Sequence, residues 1–334
     1  MSSTSPTPAT PTPAVSSPAA PTPTTSAPVT SMPTAPTSVI PPHITPKPAL
    51  PTSTTPASVA SVSRPTRAHG LAQRVRDVAV LTGRNLVHIK REPLQLSDVT
   101  VQPVLFTLLF VYVFGAGVVL PGGGSYKDFA IAGLLAMNLT TSAMGTAVGL
   151  SSDLGSGVIA RFRTLPMWRP AVLVGRSLAD VATAAICAAF VGVTGLLIGW
   201  RPDASVASVA AGFGIFLLFS YGLSWGCACL GMVSKSPESA QGIGLVILFP
   251  LAIVSNALVP TERMPAVLQA IANWNPVSAV TTACRQLFGN PNPSASIHVW
   301  PMQHPILASL LWSVALVAIF APLASALYRR RTTD

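Results

Sequence analysis

The chain has 334 residues, of which 50% are hydrophobic and only 9% are charged. Because a soluble domain carries about 25% charged residues, this composition excludes a soluble globular protein and predicts an integral membrane protein. The formal net charge is +10, but the positions of the basic residues, described below, exclude nucleic acid as a partner.

Residues 1–63 form a low-complexity tail of Pro, Thr, Ser and Ala. The tail holds 16 of the 33 prolines, almost no charge and no apolar periodicity. Such a segment cannot bury enough apolar surface to offset its ordering entropy. It also lacks the basic start and the apolar core of a signal peptide. We therefore expect a disordered tail on the cytoplasmic side.

The segment 64–98 has the pattern of a basic amphipathic helix. Apolar residues recur near helical spacing and basic residues lie between them: Leu71, Val75, Val78, Ala79, Leu86 and Ile89, with Arg74, Arg76, Arg84, Lys90 and Arg91. Glu92 and Pro93 end the pattern, since proline disrupts a helix interior. We expect this helix to lie at the membrane interface, where its basic face would bind anionic lipid.

Six apolar segments follow, and each is long enough to cross a hydrocarbon core of ~30 Å. The predicted spans lie at about 99–120, 129–150, 171–200, 204–234, 239–259 and 306–327. Small residues recur four apart in three of them, which allows close helix packing in lipid: Gly145 and Gly149, Gly195 and Gly199, Gly222 and Gly226. The predicted fold is an all-α integral membrane protein over 99–331, preceded by the interfacial helix.

The basic residues are distributed unevenly across this topology. Of the 20 Lys and Arg, 16 fall on the side that carries both termini, and four fall elsewhere: Lys127, Arg201, Arg263 and Arg285. Basic residues favour the cytoplasmic side. We therefore expect a multi-pass protein of the plasma membrane with both termini in the cytoplasm.

Asp180 is the acidic residue that lies well inside an apolar segment, and Arg176 precedes it by four residues on the same helix face. An ionisable residue within a membrane is a candidate functional residue. This pair, however, lies near the cytoplasmic end and can neutralise itself. We therefore favour a structural ion pair over a role in substrate binding or proton transfer.

The sequence shows no catalytic site and no nucleotide-binding loop. A Gly-Lys pair is absent from the chain, which excludes the G-x-x-x-x-G-K-[ST] phosphate loop. The cysteines form neither a disulfide framework nor a metal-ligand pattern: Cys187, Cys227, Cys229 and Cys284. We expect this chain to have no enzymatic activity of its own, no metal and no bound cofactor.

Several motifs together resemble the daunorubicin-resistance type of ABC-2 permease. Between the second and third spans, residues 151–170 contain Asp153, Gly157 and the run Arg161-Phe-Arg-Thr-Leu-Pro166, followed by Val174-Gly-Arg-Ser-Leu-Ala-Asp180. Further matches follow in the same order as in the family: 249–260, Met264-Pro265, Trp274-Asn-Pro-Val-Ser278, Arg285 and Leu287-Phe-Gly289. The resemblance covers about residues 70–330 and gives the tail no counterpart.

The resemblance implies a function and a set of site residues. Residues 151–170 would be a coupling loop that inserts into a separate ATPase subunit through Asp153, Gly157, Arg161, Phe162, Arg163, Leu165 and Pro166. That subunit would bind ATP and Mg²⁺. Two copies of this chain, or this chain and a sister permease, would form an export path for amphipathic drugs, antibiotics or lipids, as in antibiotic resistance by drug efflux.

The resemblance also implies an exit cap and candidate pathway residues. Short helices within 262–289, on the outside, would cap the path. Asn138 and Asn256, in the second and fifth predicted spans, would line it.

Three alternatives stay open at this point. A polysaccharide-type ABC-2 permease shares the architecture and differs in motif detail. An ion-coupled secondary transporter would need several buried acids and inverted repeats, whereas only Asp180 qualifies. A membrane scaffold without transport is disfavoured by the coupling-like loop.

Overall fold

The computed structural model describes residues 71–91, 93–115, 117–118, 120, 123–156 and 171–331. This part of the chain is helical, and β-strands are absent from it. Its helices are α1 Leu71–Arg91, α2 Pro93–Gly115, α3 Tyr126–Ser142, α4 Met144–Gly155, α5 Ala171–Ile198, α6 Val206–Val233, α7 Pro237–Ile253, α8 Ala266–Trp274, α9 Pro276–Phe288, α10 Trp300–Gln303 and α11 Pro305–Arg331. Two 3₁₀ turns lie at Thr261–Arg263 and Pro293–Ser296.

In the part of the chain that the structure describes, five helical segments are long and apolar enough to cross a membrane. They are Ser97–Gly115, Tyr126–Gly155 (α3 and α4 in series), Ala171–Ile198, Val206–Val233 and Pro305–Arg330. The remaining predicted span, 239–259, corresponds to α7, which has 17 residues and is therefore only about 26 Å long. Five of the six predicted spans are therefore confirmed as helices of sufficient length, and the span predicted at 239–259 is not.

α7 is shorter than the apolar sequence suggested because its last turn is interrupted. Pro250 lies inside this turn, and the helix ends at Ile253. The apolar residues up to Val259 continue as turns, and the carbonyl groups in these turns accept hydrogen bonds from side chains elsewhere.

The first two helices meet where the basic amphipathic pattern of the sequence ends. α1 ends at Arg91, and α2 begins at Pro93 and ends at Gly115. Proline is well accommodated at the first position of a helix, where its missing N–H has no helical partner. Residues 93–98 therefore belong to α2.

The buried apolar residues form two clusters along the bundle. The larger one joins α3, α5, α6 and α9, with Phe129, Phe216 and Phe288 at its centre. The smaller one joins α1 and α11 to the end of α4, the start of α5 and the last turns of α6, and includes Leu81 and Trp225. We call the end with the smaller cluster, where residues 157–170 connect α4 to α5, the loop end. The opposite end, which carries α8 and α9, is the cap end.

Large apolar side chains also cover the outside of the bundle. Exposed examples lie on α2, α5, α7 and α11: Leu105, Tyr112, Val193, Leu197, Val246, Val314 and Ile319. In a soluble protein this surface would be a liability. Such a surface is typical of a helical bundle that lies in a membrane.

Candidate functional site

At the loop end, Asp153 lies between two arginines that belong to different helices. Its Oδ1 atom is 3.4 Å from Nη2 of Arg84 on α1, and its Oδ2 atom is 4.0 Å from Nη1 of Arg176 on α5. Asp153 itself lies in the last turn of α4. One carboxylate therefore links the first amphipathic helix to the second and third spans at the base of residues 157–170.

The guanidinium of Arg176 occupies a notch in the surface of α4. A Cβ atom built on Gly149 would overlap this guanidinium, whereas one built on Gly145 would meet nothing within 4 Å. Nη2 of Arg176 donates a hydrogen bond to the carbonyl oxygen of Gly145 at 2.9 Å. The sequence suggested that Gly145 and Gly149 allow two helices to pack closely. In the structure, an arginine side chain packs against them instead.

Asp180 completes this network one turn further along α5. Its Oδ1 atom is 3.8 Å from Nε of Arg176, and its Oδ2 atom accepts a hydrogen bond from Oγ1 of Thr146 at 2.5 Å. The two members of the predicted intramembrane pair therefore lie together, and both are also in contact with α4.

α1 packs directly on the start of α5. Leu81 is buried, and its side chain approaches Gly175 so closely that a Cβ atom there would lie 2.8 Å from it. Oγ1 of Thr82 donates a hydrogen bond to the carbonyl oxygen of Gly175 at 3.2 Å. One face of α1 is thus bound to the protein, and its predicted contact with lipid stays a prediction.

Most of the predicted coupling residues lie outside the described part of the chain. These are Gly157, Arg161, Phe162, Arg163, Leu165 and Pro166. Asp153 is the member that the structure places, and its role in docking an ATPase stays a prediction.

The two predicted pathway residues lie at different depths of the bundle. Asn138 is half-buried in α3 and donates to the carbonyl oxygen of Leu134 at 2.8 Å. Asn256 is fully buried near the cap end and donates from Nδ2 to Thr282 Oγ1 at 2.6 Å and Ser294 Oγ at 3.0 Å. Burial favours a packing role for Asn256, and the pathway role of both residues stays a prediction.

The cap end is organised around Arg285, which is fully buried in α9. Its guanidinium donates to three carbonyl oxygens: Nε to Phe129 at 3.1 Å, Nη1 to Asn256 at 2.9 Å and Nη2 to Ala257 at 2.8 Å. The guanidinium carbon also lies 3.6 Å from the ring centroid of Phe129. The ion pairs among the described residues do not include Arg285.

α9 is not one of the five spans, and burial lowers the pKa of Arg285 to about 9. The guanidinium therefore still carries its charge at neutral pH. Carbonyl dipoles and an aromatic face, rather than a carboxylate, stabilise this buried cation.

We call α8, α9 and the residues that directly follow them the cap. Further side chains attach the cap to α3 and α7. Nδ2 of Asn290 donates to the carbonyl oxygen of Asp128 at 2.6 Å. Asn275 donates to the carbonyl oxygens of Leu251 and Val254, and its Oδ1 atom accepts from the backbone N–H of Val277 at the start of α9. The cap is therefore a fixed part of the bundle in this conformation.

Sequence reasoning missed the main contacts of both networks. Arg285 was named only for its predicted side of the membrane and as one match in the family resemblance, although Ser278, Thr282 and Arg285 recur at i, i+4 and i+7 in α9. That periodicity indicates a polar stripe facing the protein. The contact between Arg84 and Asp153 spans 69 residues and has no local signal.

Arg84, Asp153, Arg176 and Arg285 all lie within the segment that matches a known protein family. The model of the family described as "ABC-2 type transporter" matches residues 76–288. The chain is 34% identical over 270 residues to the "Daunorubicin resistance ABC transporter permease protein DrrB1" of Streptomyces coeruleorubidus, which covers 80% of this chain and 90% of that protein. It is 24% identical over 277 residues to the "Probable doxorubicin resistance ABC transporter permease protein DrrC" of Mycobacterium tuberculosis, covering 80% and 95%.

Proposed function

Because the chain belongs to the ABC-2 type transporter family, we propose that it is the permease subunit of an ATP-driven exporter. The hydrolysis of ATP would take place on a separate ATPase subunit, which would bind ATP and Mg²⁺. Two permease chains, either identical or sister chains, would enclose the path.

The observation that carries this proposal is the position of Asp153. It lies directly before residues 157–170 and contacts α1 through Arg84 and α5 through Arg176. A force applied to that loop by an ATPase would reach the first helix, the second span and the third span through this one carboxylate. The geometry thus supports a role for the loop in transmitting motion to the spans.

We infer the orientation in the membrane from the distribution of the basic residues. The loop end would face the cytoplasm of a bacterial cell, together with both termini, since basic residues favour that side. The cap end would then face outwards, where α8 and α9 would close the exit of the path.

The proposed cargo is an amphipathic molecule such as a drug, an antibiotic or a lipid. Two relatives carry daunorubicin or doxorubicin resistance in their names. The outward faces of the spans are apolar, which suits a cargo that reaches the protein from within the bilayer.

The decisive test is purification of the tagged chain in mild detergent with the ATPase activity measured in the same sample. We expect a co-purifying subunit that hydrolyses ATP. The variant Arg161→Glu/Arg163→Glu should lose this subunit and stay in the membrane, because reversing both charges opposes docking. The matched variant Arg161→Lys/Arg163→Lys keeps both charges and should retain the subunit.

A second measurement addresses the cargo. Vesicles that contain both subunits should accumulate daunorubicin when ATP is supplied, and the charge-reversal variant should not. ATPase activity that responds to a lipid-linked glycan and not to daunorubicin would instead assign a polysaccharide-type permease. A folded chain that recruits no ATPase would exclude the exporter function.

A further inference from the structure

The second span consists of two helices in series, which meet at Ala143 with the backbone in the helical region. Four polar side chains near the end of α3 donate to carbonyl oxygens three or four residues earlier: Asn138, Thr140, Thr141 and Ser142. Side chains that bond back in this way compete with the backbone ladder and bend helices. These bonds are concentrated directly before Ala143, where α3 and α4 meet.

The α3 half of this span is attached to the cap. The carbonyl oxygens of Asp128 and Phe129 accept hydrogen bonds from Asn290 and Arg285. A Cβ atom built on Gly133 would overlap the carbonyl oxygen of Ala257. Backbone of the turns after α7 thus lies directly against α3.

The α4 half is attached to α5 chiefly through side chains. α4 packs mainly against α6 and α7, and its contacts with α5 depend on Arg176 and Asp180. The guanidinium of Arg176 contacts three successive turns on one face of α4, at Gly145, Gly149 and Asp153.

We propose that Arg176 is a positioning residue for transport, which makes the start of α5 follow α4 when residues 157–170 are displaced. Only the first turns of α5 follow α4 in this way, because the later turns of α5 are packed against α3 in the larger hydrophobic cluster. This inference rests on the proposed function, and it assigns to Arg176 a role distinct from binding cargo or protons.

The first test measures the amount of cargo transported per ATP hydrolysed. Gly149→Ala leaves the chemistry of Arg176 intact but fills the notch, and Arg176→Lys keeps the charge but loses the planar fork. Both variants should still recruit and stimulate the ATPase, while the ratio falls about fivefold or more, as expected for loss of a coupling free energy. Gly214→Ala in α6, with nothing within 4 Å of the added carbon, is the matched control.

The second test measures distances between spin labels in the nucleotide-free and ATP-trapped states. The cysteines at 187, 227, 229 and 284 are all buried, so labels can be placed on added cysteines. The pair Ser152→Cys and Leu178→Cys reports on α4 and the start of α5, and the pair Ser152→Cys and Val267→Cys reports on the distance from α4 to the cap end; all three sites are exposed.

In the wild-type background the first distance should stay constant and the second should change when ATP is trapped. With Gly149→Ala or Arg176→Lys, the first distance should also change. Wild-type transport ratios and a constant first distance in both variants would overturn the role of Arg176 and leave the exporter function standing. A wild-type chain that associates with no ATPase would overturn both proposals.

Discussion

Arg285 shows how a single side chain determines the architecture of the cap. A buried charge is costly unless its donors are satisfied, and here three carbonyl oxygens and the ring of Phe129 surround the guanidinium. The same bonds satisfy carbonyl groups in the turns that follow α7. The arginine therefore stabilises an irregular backbone that would otherwise have unpaired acceptors.

Replacing Arg285 should destabilise the whole protein. Arg285→Met removes donors to three buried carbonyl oxygens, and each unsatisfied group costs about 1–3 kcal/mol. We expect the apparent melting temperature in detergent, measured by fluorescence-detected size exclusion, to fall by about 5–10 °C.

Lysine should rescue only part of this loss, because an ammonium group lacks the planar fork that reaches several acceptors at once. The control Arg330→Met changes an exposed arginine and should leave the melting temperature unchanged. An Arg285→Met variant as stable as the wild type would show that the cap does not depend on this contact.

At the scale of elements, close packing is concentrated between α6 and α11. A Cβ atom built on Gly222 would lie 2.9 Å from the carbonyl oxygen of Ser313, which is backbone and cannot move alone. A Cβ atom on Gly226 would lie 3.7 Å from the ring of Phe320, an ordinary contact. Of the two glycines predicted to mediate packing, only Gly222 lies too close to α11 to carry a side chain.

The two glycines therefore provide a matched pair of substitutions. Gly222→Ala should push α6 and α11 apart and lower the amount of folded protein recovered from membranes, whereas Gly226→Ala should be neutral. The check is a comparison of the two melting curves at equal expression. Equal effects of both substitutions would mean that the interface tolerates a shift of several tenths of an ångström.

At the scale of the whole molecule, the two polar networks lie at opposite ends of the span formed by Tyr126–Gly155, which has 30 residues. The loop-end network joins three helices around Asp153, and the cap-end network joins α3, α7 and α9 around Arg285. Between them the bundle is held mainly by apolar contacts and by the larger hydrophobic cluster. The polar contacts between helices are thus concentrated at the two ends of this span.

The proposed topology predicts which residues each side of the membrane exposes. A cysteine at Val267 should react with a membrane-impermeant maleimide added to intact cells from which any outer barrier has been removed. A cysteine at Ser152 should react only after the membrane is permeabilised. The buried native cysteines keep the background low, and reaction at both sites in intact cells would contradict the orientation.

The sequence was informative where a pattern is local. Apolar length located five spans, Pro93 marked the end of the amphipathic pattern, and the i, i+4 spacing correctly predicted that Arg176 and Asp180 lie together. It failed where a contact depends on tertiary structure. Apolar composition alone did not reveal that α7 ends at Ile253, because the turns after it are stabilised by Arg285, and the notch at Gly149 had no signal beyond a glycine spacing common to many bundles.

The buried position of Arg285 also has a consequence for the order in which the protein matures. Its acceptors belong to residues 129, 256 and 257, all of which are synthesised before it. In the proposed orientation, the guanidinium would first pass to the far side of the bilayer with α9 and then bind carbonyl groups already in place. Maturation of the cap should accordingly be a late event in biogenesis, and a nascent chain truncated before residue 285 should remain open at that end.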